Sequence, residues 1–175
     1  LNGALSTLGE SGIKQLLGEA LGVTIHHFAI VKLDLFCKMV DAIGGVEVDV
    51  PQKMEYHDPA QNLHISLEEG RQRLDGRAAE HFVRYRSGYV NADLGRLDAQ
   101  KLFLRAFARR CRELTAPDYF RLAGASLVGV QTDLGIGDAI RLCKVLRECD
   151  PDTVPMQTLA GQAVRGQSGA WYYVL

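Results

Sequence analysis

Helical and strand periodicities alternate along this chain, and the alternation limits its fold more than any other feature. Residues 9–22 place Ile13, Leu16, Leu17, Ala20 and Leu21 at helical spacing. Residues 26–33 are rich in Ile, Val and Phe and predict a strand. Asp34 is placed to cap a short helix through Ile43, which Gly44-Gly45 ends. Val46-Glu47-Val48-Asp49-Val50 alternates as a half-buried strand should, and Pro51 stops it. Residues 52–74 predict loop with short extended pieces. Asp75-Gly76 opens a helix to about residue 82, residues 83–86 predict an extended stretch, and 87–92 a turn-rich loop. A long helix comes next over about 93–114, then helices over 117–127 and 135–149, with terminal strands over 154–159 and 171–175. Such interleaving favours the α/β class: a mixed central sheet with helices on both faces.

The chain has 175 residues, 47% of them hydrophobic, enough for a single domain over 1–175 with a sizeable core. No apolar run approaches the roughly 20 residues that a bilayer crossing needs. The chain begins Leu1-Asn2-Gly3 and is expected to be the later part of a longer protein. A net charge of −1 argues neither for nucleic acid nor for a membrane surface. Between Arg84 and Arg121, however, nine Lys or Arg stand against four Asp or Glu. That excess suits an anionic partner or a solvated helix face. Cys37, Cys111, Cys143 and Cys149 form no CxxC pair and have no His at metal-ligand spacing, which argues against a zinc site. Their disulfide state stays open.

The segment most suggestive of chemistry is Arg84-Tyr85-Arg86, a loop, then Asp93-Leu94-Gly95-Arg96 and Gln100. If 83–86 is extended, Arg84 and Arg86 point to the same side and repel each other unless an anion lies between them. Arginine is also the side chain best shaped to grip phosphate through paired hydrogen bonds. In the long helix, Leu97, Leu104, Phe107, Cys111 and Leu114 form an apolar stripe, with Arg105, Arg109 and Arg112 opposite. Arg96 and Gln100 lie one turn apart on the inward side. An inward arginine is costly unless paired, so Arg96 either bridges to Asp93 or another carboxylate, or helps form a basic pocket beside the helix N-terminus. His26-His27 and Trp171-Tyr172-Tyr173 read first as structural, and no GxSxG, P-loop or Rossmann glycine pattern occurs.

At these residues the chain resembles the LytR-CpsA-Psr family. The matching stretches are Val40-Asp41-Ala42-Ile43-Gly44-Gly45-Val46-Glu47-Val48, Leu74-Asp75-Gly76-Arg77-Ala78-Ala79, and Arg84-Tyr85-Arg86 with Asp93-Leu94-Gly95-Arg96 and Gln100. Leu1-Asn2-Gly3-Ala4 and residues 169–174 resemble the family's opening asparagine stretch and closing strand.

The resemblance implies a polyprenyl-diphosphate carrier in a largely apolar pocket and transfer of its phosphoglycosyl polymer to a peptidoglycan hydroxyl. It implies that Arg84, Arg86 and Arg96 bind the diphosphate and stabilise charge developing on transfer, supported by Gln100 and Asp93. Mg2+ is implied at the diphosphate, on aspartates of an upstream block, along with an N-terminal membrane anchor and a place on the extracytoplasmic face of the cell membrane. The family's Arg-Gln pair stands here as Ala99-Gln100. A module that binds polyprenyl phosphate or anionic glycans without turnover is the alternative. A nucleic-acid-binding regulator is disfavoured, since no helix-turn-helix or basic-aromatic pattern occurs.

Overall fold

The structure, a computed structural model, describes residues 4–88, 92–127, 129–158, 162–165 and 171–174. Leu1-Asn2-Gly3, residues 89–91 of the loop before α4 and several positions in the closing segment lie outside the described residues. The fold is mixed α/β. Its helices are α1 (Ala4–Leu21), α2 (Leu33–Ala42), α3 (Gly76–Arg84), α4 (Ala92–Arg112), α5 (Ala116–Leu127) and α6 (Ile136–Glu148). Its strands are β1 (Ala29–Ile30), β2 (Val46–Val50), β3 (Met54–Asp58), β4 (Leu63–Leu67), β5 (Gly70–Leu74), β6 (Gln131–Thr132), β7 (Gln162–Arg165) and β8 (Trp171–Val174). Among the described residues the strands pair as four antiparallel ribbons, β1–β6, β2–β5, β3–β4 and β7–β8.

The core gathers where α2, α3 and α4 meet the β2–β5 and β3–β4 ribbons. Val46, Val48 and Val50 turn inward from β2, as their alternation requires, while Glu47 and Asp49 face Arg73 and Arg71 across the ladder. The α2–β2 turn is closed by Gly44 and Gly45 at φ 78° and 83°, a region that side chains disfavour. Two aspartates start α3: the Asp75 carboxylate accepts from the Ala78 N–H at 2.8 Å and that of Asp41 from the Gly76 N–H at 2.7 Å. At Gly76 the helices α2 and α3 touch backbone to backbone, since a Cβ there would lie 2.2 Å from the Cys37 carbonyl oxygen. Phe82, on the inward face of α3, is fully buried.

Five expectations need correction. The segment 52–74 is mostly strand rather than loop: the extended piece at Leu63-His64-Ile65 belongs to the longer β4, and Met54 and Leu67 enter the same core. Residues 26–33 contain only the two-residue β1, and residues 154–158 are irregular, the strand coming later as β7. The cap of α2 is Lys32, with Asp34 in the first turn. The inward face of α4 is centred on Ala99, Phe103 and Ala106 rather than on the leucines, and Leu104 is exposed. Small residues there let α4 approach β2 and α3 closely.

Candidate functional site

The site is built from the end of α3 upward. Helix α3 runs to Arg84, so this arginine is not on an extended segment as the spacing suggested; the chain leaves the helix only at Tyr85. The extra turn is supported by an i,i+4 ion pair, Glu80 Oε1 to Arg84 Nη1 at 2.7 Å, and by burial of Phe82. Arg84 Nη2 also donates to Gln61 Oε1 at 3.0 Å. Gln61 closes a single 3-10 turn, Pro59–Gln61, between β3 and β4, capped by Asp58. The Asp58 carboxylate accepts from the Gln61 amide group at 2.7 Å, which sets the rotamer that meets Arg84.

Gln100, in the third turn of α4, donates to the Val83 carbonyl oxygen at 3.2 Å. This holds the start of α4 against the end of α3. Arg84, Arg86, Arg96 and Gln100 thereby line one cavity of about 320 Å³, together with Tyr56, Gln61, Leu63, Val83 and Ser87. Asp93 lies in the first turn of α4, but its side chain is outside the described residues. Ala99 is buried in the core and does not line the cavity, so the position that carries arginine in the family pattern is a packing position here.

Glu80 stands just behind Arg84. Burial alone would raise its carboxyl, but the bonds from Arg84 and from the Cys37 thiol outweigh that and hold it below the usual carboxylate value. Cys37 Sγ donates to Glu80 Oε2 at 3.4 Å, and burial followed by this contact pushes the thiol up to about 11. Three guanidiniums, two amides and two hydroxyls line the cavity, a donor set chemically suited to a multiply charged oxyanion. Among the described residues its lining holds no carboxylate, and no group of three or more His, Cys, Asp or Glu could hold a metal. Magnesium takes oxygen donors, so the lining as described does not fit that ion.

Sequence reasoning missed Tyr56, Gln61 and Glu80. Glu80 had a usable signal, its i,i+4 spacing from Arg84. Gln61 had none, because the strand pairing that brings it across is long-range. The remaining arginines divide differently: Arg109 pairs with Asp152 and Arg112 with Asp150, while Arg110 faces inward and donates to the Ile43 carbonyl oxygen at 2.9 Å.

The LytR_cpsA_psr family model matches residues 1–175. The chain belongs to the LytR_cpsA_psr family. Among curated relatives, "Probable cell wall biosynthesis protein LcpB" of Corynebacterium glutamicum is 37% identical over 105 residues, covering 60% of this chain and 24% of that protein. "Polyisoprenyl-teichoic acid--peptidoglycan teichoic acid transferase TagV" of Bacillus subtilis is 23% identical over 176 residues, covering 99% of this chain and 45% of that one. The LytR_cpsA_psr chain thus spans a quarter to a half of these relatives. The crystal structure of B. subtilis TagV is similar at a TM-score of 0.78 and 21% identity, covering 98% of this chain and 66% of that one. A structure from Enterococcus faecalis, titled a transcriptional regulator, is similar at 0.83 and 22%, covering 99% and 62%. Both show the LytR_cpsA_psr fold. Among the described residues no helix is long and apolar enough to cross a membrane.

Proposed function

We propose that this chain acts in cell-wall assembly, binding a polyprenyl-diphosphate-linked glycopolymer and helping to transfer its phosphoglycosyl unit to a peptidoglycan hydroxyl. The observation that carries this is the meeting of Arg84, Arg86, Arg96 and Gln100 around one cavity. A disubstituted diphosphate is a compact anion with several acceptor oxygens, and guanidiniums bind such oxygens in pairs. In this reading the three arginines hold the diphosphate and stabilise the charge that builds on the leaving phosphate. Gln100 keeps α4 in place beside them, and Asp93 belongs to the same helix end.

The names of TagV and LcpB support the reading at the level of reaction and process. A carrier lipid and a peptidoglycan acceptor would place the protein on the outer face of the bacterial cell membrane. Magnesium, if used, would be held by donors other than the described lining. The three guanidiniums would serve equally in one second reading: capture of the lipid diphosphate or an anionic glycan without turnover.

The test is release of polymer from its lipid carrier by the natural protein with magnesium, measured for the native sequence and for Arg84→Ala, Arg86→Ala and Arg96→Ala. Release that each substitution depresses by two or more orders of magnitude supports transfer, the scale of one lost transition-state contact. Arginine-dependent binding without release selects the capture reading. Absence of both overturns the proposal.

A further inference from the structure

The structure assigns to Glu80 the part of a positioning residue, which holds the Arg84 guanidinium against the cavity wall with Gln61 as its second anchor. This rests on the reading of the cavity as a diphosphate site and deepens it.

Arg84 ends α3, and a terminal arginine on a four-bond stem has many rotamers open to it. Two groups remove that freedom from opposite sides. Glu80 Oε1 meets Nη1 at 2.7 Å from one turn back on the same helix. Gln61 Oε1 meets Nη2 at 3.0 Å from the turn between β3 and β4. Both anchors are themselves held. The second oxygen of Glu80 accepts from Cys37 on α2 at 3.4 Å, and Gln61 is tied to Asp58. The chain Cys37–Glu80–Arg84–Gln61–Asp58 therefore joins three elements through one cavity-lining guanidinium.

Charge adds to this. Arg84, Arg86 and Arg96 line the same space, and like charges there repel one another. The Glu80 carboxylate, with its side chain 19% exposed, offsets one of those charges from behind the wall, where it does not compete for the lining. An anion then meets a guanidinium already aimed, and little ordering cost remains to be met on binding.

The experiment is a double-mutant cycle on the natural protein, with farnesyl diphosphate as probe and isothermal titration as readout. In the native background Arg84→Ala is expected to weaken binding at least about tenfold, roughly one charged hydrogen bond. In Glu80→Ala and Glu80→Gln backgrounds the same substitution should cost less than about threefold, because an unaimed Arg84 contributes little. The cycle cancels the direct attraction or repulsion that Glu80 exerts on the anion. The ¹⁵N side-chain resonances of Arg84 should show hindered guanidinium rotation in the native protein and free rotation in both variants. An equal Arg84→Ala effect in every background overturns the positioning role. If Arg84→Ala has no effect even in the native background while hindered rotation still depends on Glu80, the diphosphate reading falls and the clamp stands as structure alone. Gln61→Ala should lower the Arg84 effect in the same way, and its failure to do so removes the second anchor.

Discussion

The amide of Gln100 donates to the Val83 carbonyl oxygen at 3.2 Å. Val83 lies in the last turn of α3, where carbonyls have no partner within the helix, so a side chain of α4 satisfies a helix end that would otherwise face a half-buried space. Gln100→Leu keeps the bulk and removes the donor. Urea unfolding should show a loss of about 1 kcal/mol, and farnesyl diphosphate binding should weaken as α4 shifts. Unchanged stability would mean that the carbonyl finds water at no cost.

Arg96→Ala should weaken farnesyl diphosphate binding by about 1.5–3 kcal/mol while the thermal midpoint stays nearly constant. Loss of the fold with binding intact in the folded fraction would make Arg96 a structural residue instead.

Phe82 fills the space between α3 and the β ribbons and is fully buried. Phe82→Ala should cost about 3–5 kcal/mol in chemical denaturation, the range for a large core aromatic. A cost under about 1 kcal/mol would mean that the core does not depend on this ring.

The four thiols should separate by reactivity. Burial, with Glu80 next in effect, pushes the Cys37 thiol up to about 11, and burial followed by Cys143 does the same for Cys111. Cys143 and Cys149 are exposed. The thiolate is the reactive form, so iodoacetamide at pH 8 should label Cys143 and Cys149 first, as peptide mass spectrometry would record. Early labelling of Cys37 would contradict its contact with Glu80.

Asp133 gives the acid limb a specific cause. It accepts from Lys14 Nζ at 2.8 Å and from the Phe28 N–H at 2.9 Å, and these bonds lower its carboxyl to about 2 from an ordinary 3.8. A depressed folded value means that the native state favours the ionised form. The stability this contributes is present above 3.8 and is lost as the pH falls from there toward 2. Asp133→Asn should flatten the stability profile in that window and leave the slope from pH 5 to 7 unchanged. A native-like acid limb in the variant would shift the cause elsewhere.

What could be read from the sequence was mostly what short-range chemistry decides. The strand Val46–Val50 shows its own alternation, and Asp75 announces α3 by capping it. Arg84, Arg86, Arg96 and Gln100 drew attention through residue type and spacing, and the structure puts them on one cavity even though Arg84 is helical. The misreadings share a cause in long-range packing. Leu63-His64-Ile65 shows its own alternation and reads as an extended piece, but Met54 and the full length of the ribbons become strand because a core elsewhere accepts them. The stripe on α4 was assigned by side-chain size, yet Ala99 and Ala106 mark its inward face because close approach of backbones selects small residues. Gln61 reaches the cavity only because Asp58 pairs with Leu63 across the β3–β4 ladder.

The contact at Gly76 carries its effect to the far end of α3. Eight residues at about 1.5 Å each put Arg84 roughly 12 Å away along a rigid rod. With the Gly76 backbone set directly against that of Cys37, and the Asp41 carboxylate holding the Gly76 N–H, the rod has a hard pivot and very little slack. One added carbon there, as in Gly76→Ala, would tilt the rod and swing the guanidinium at its tip without altering any group that lines the cavity. The aim of Arg84 is therefore set in part from a point that no anion ever reaches.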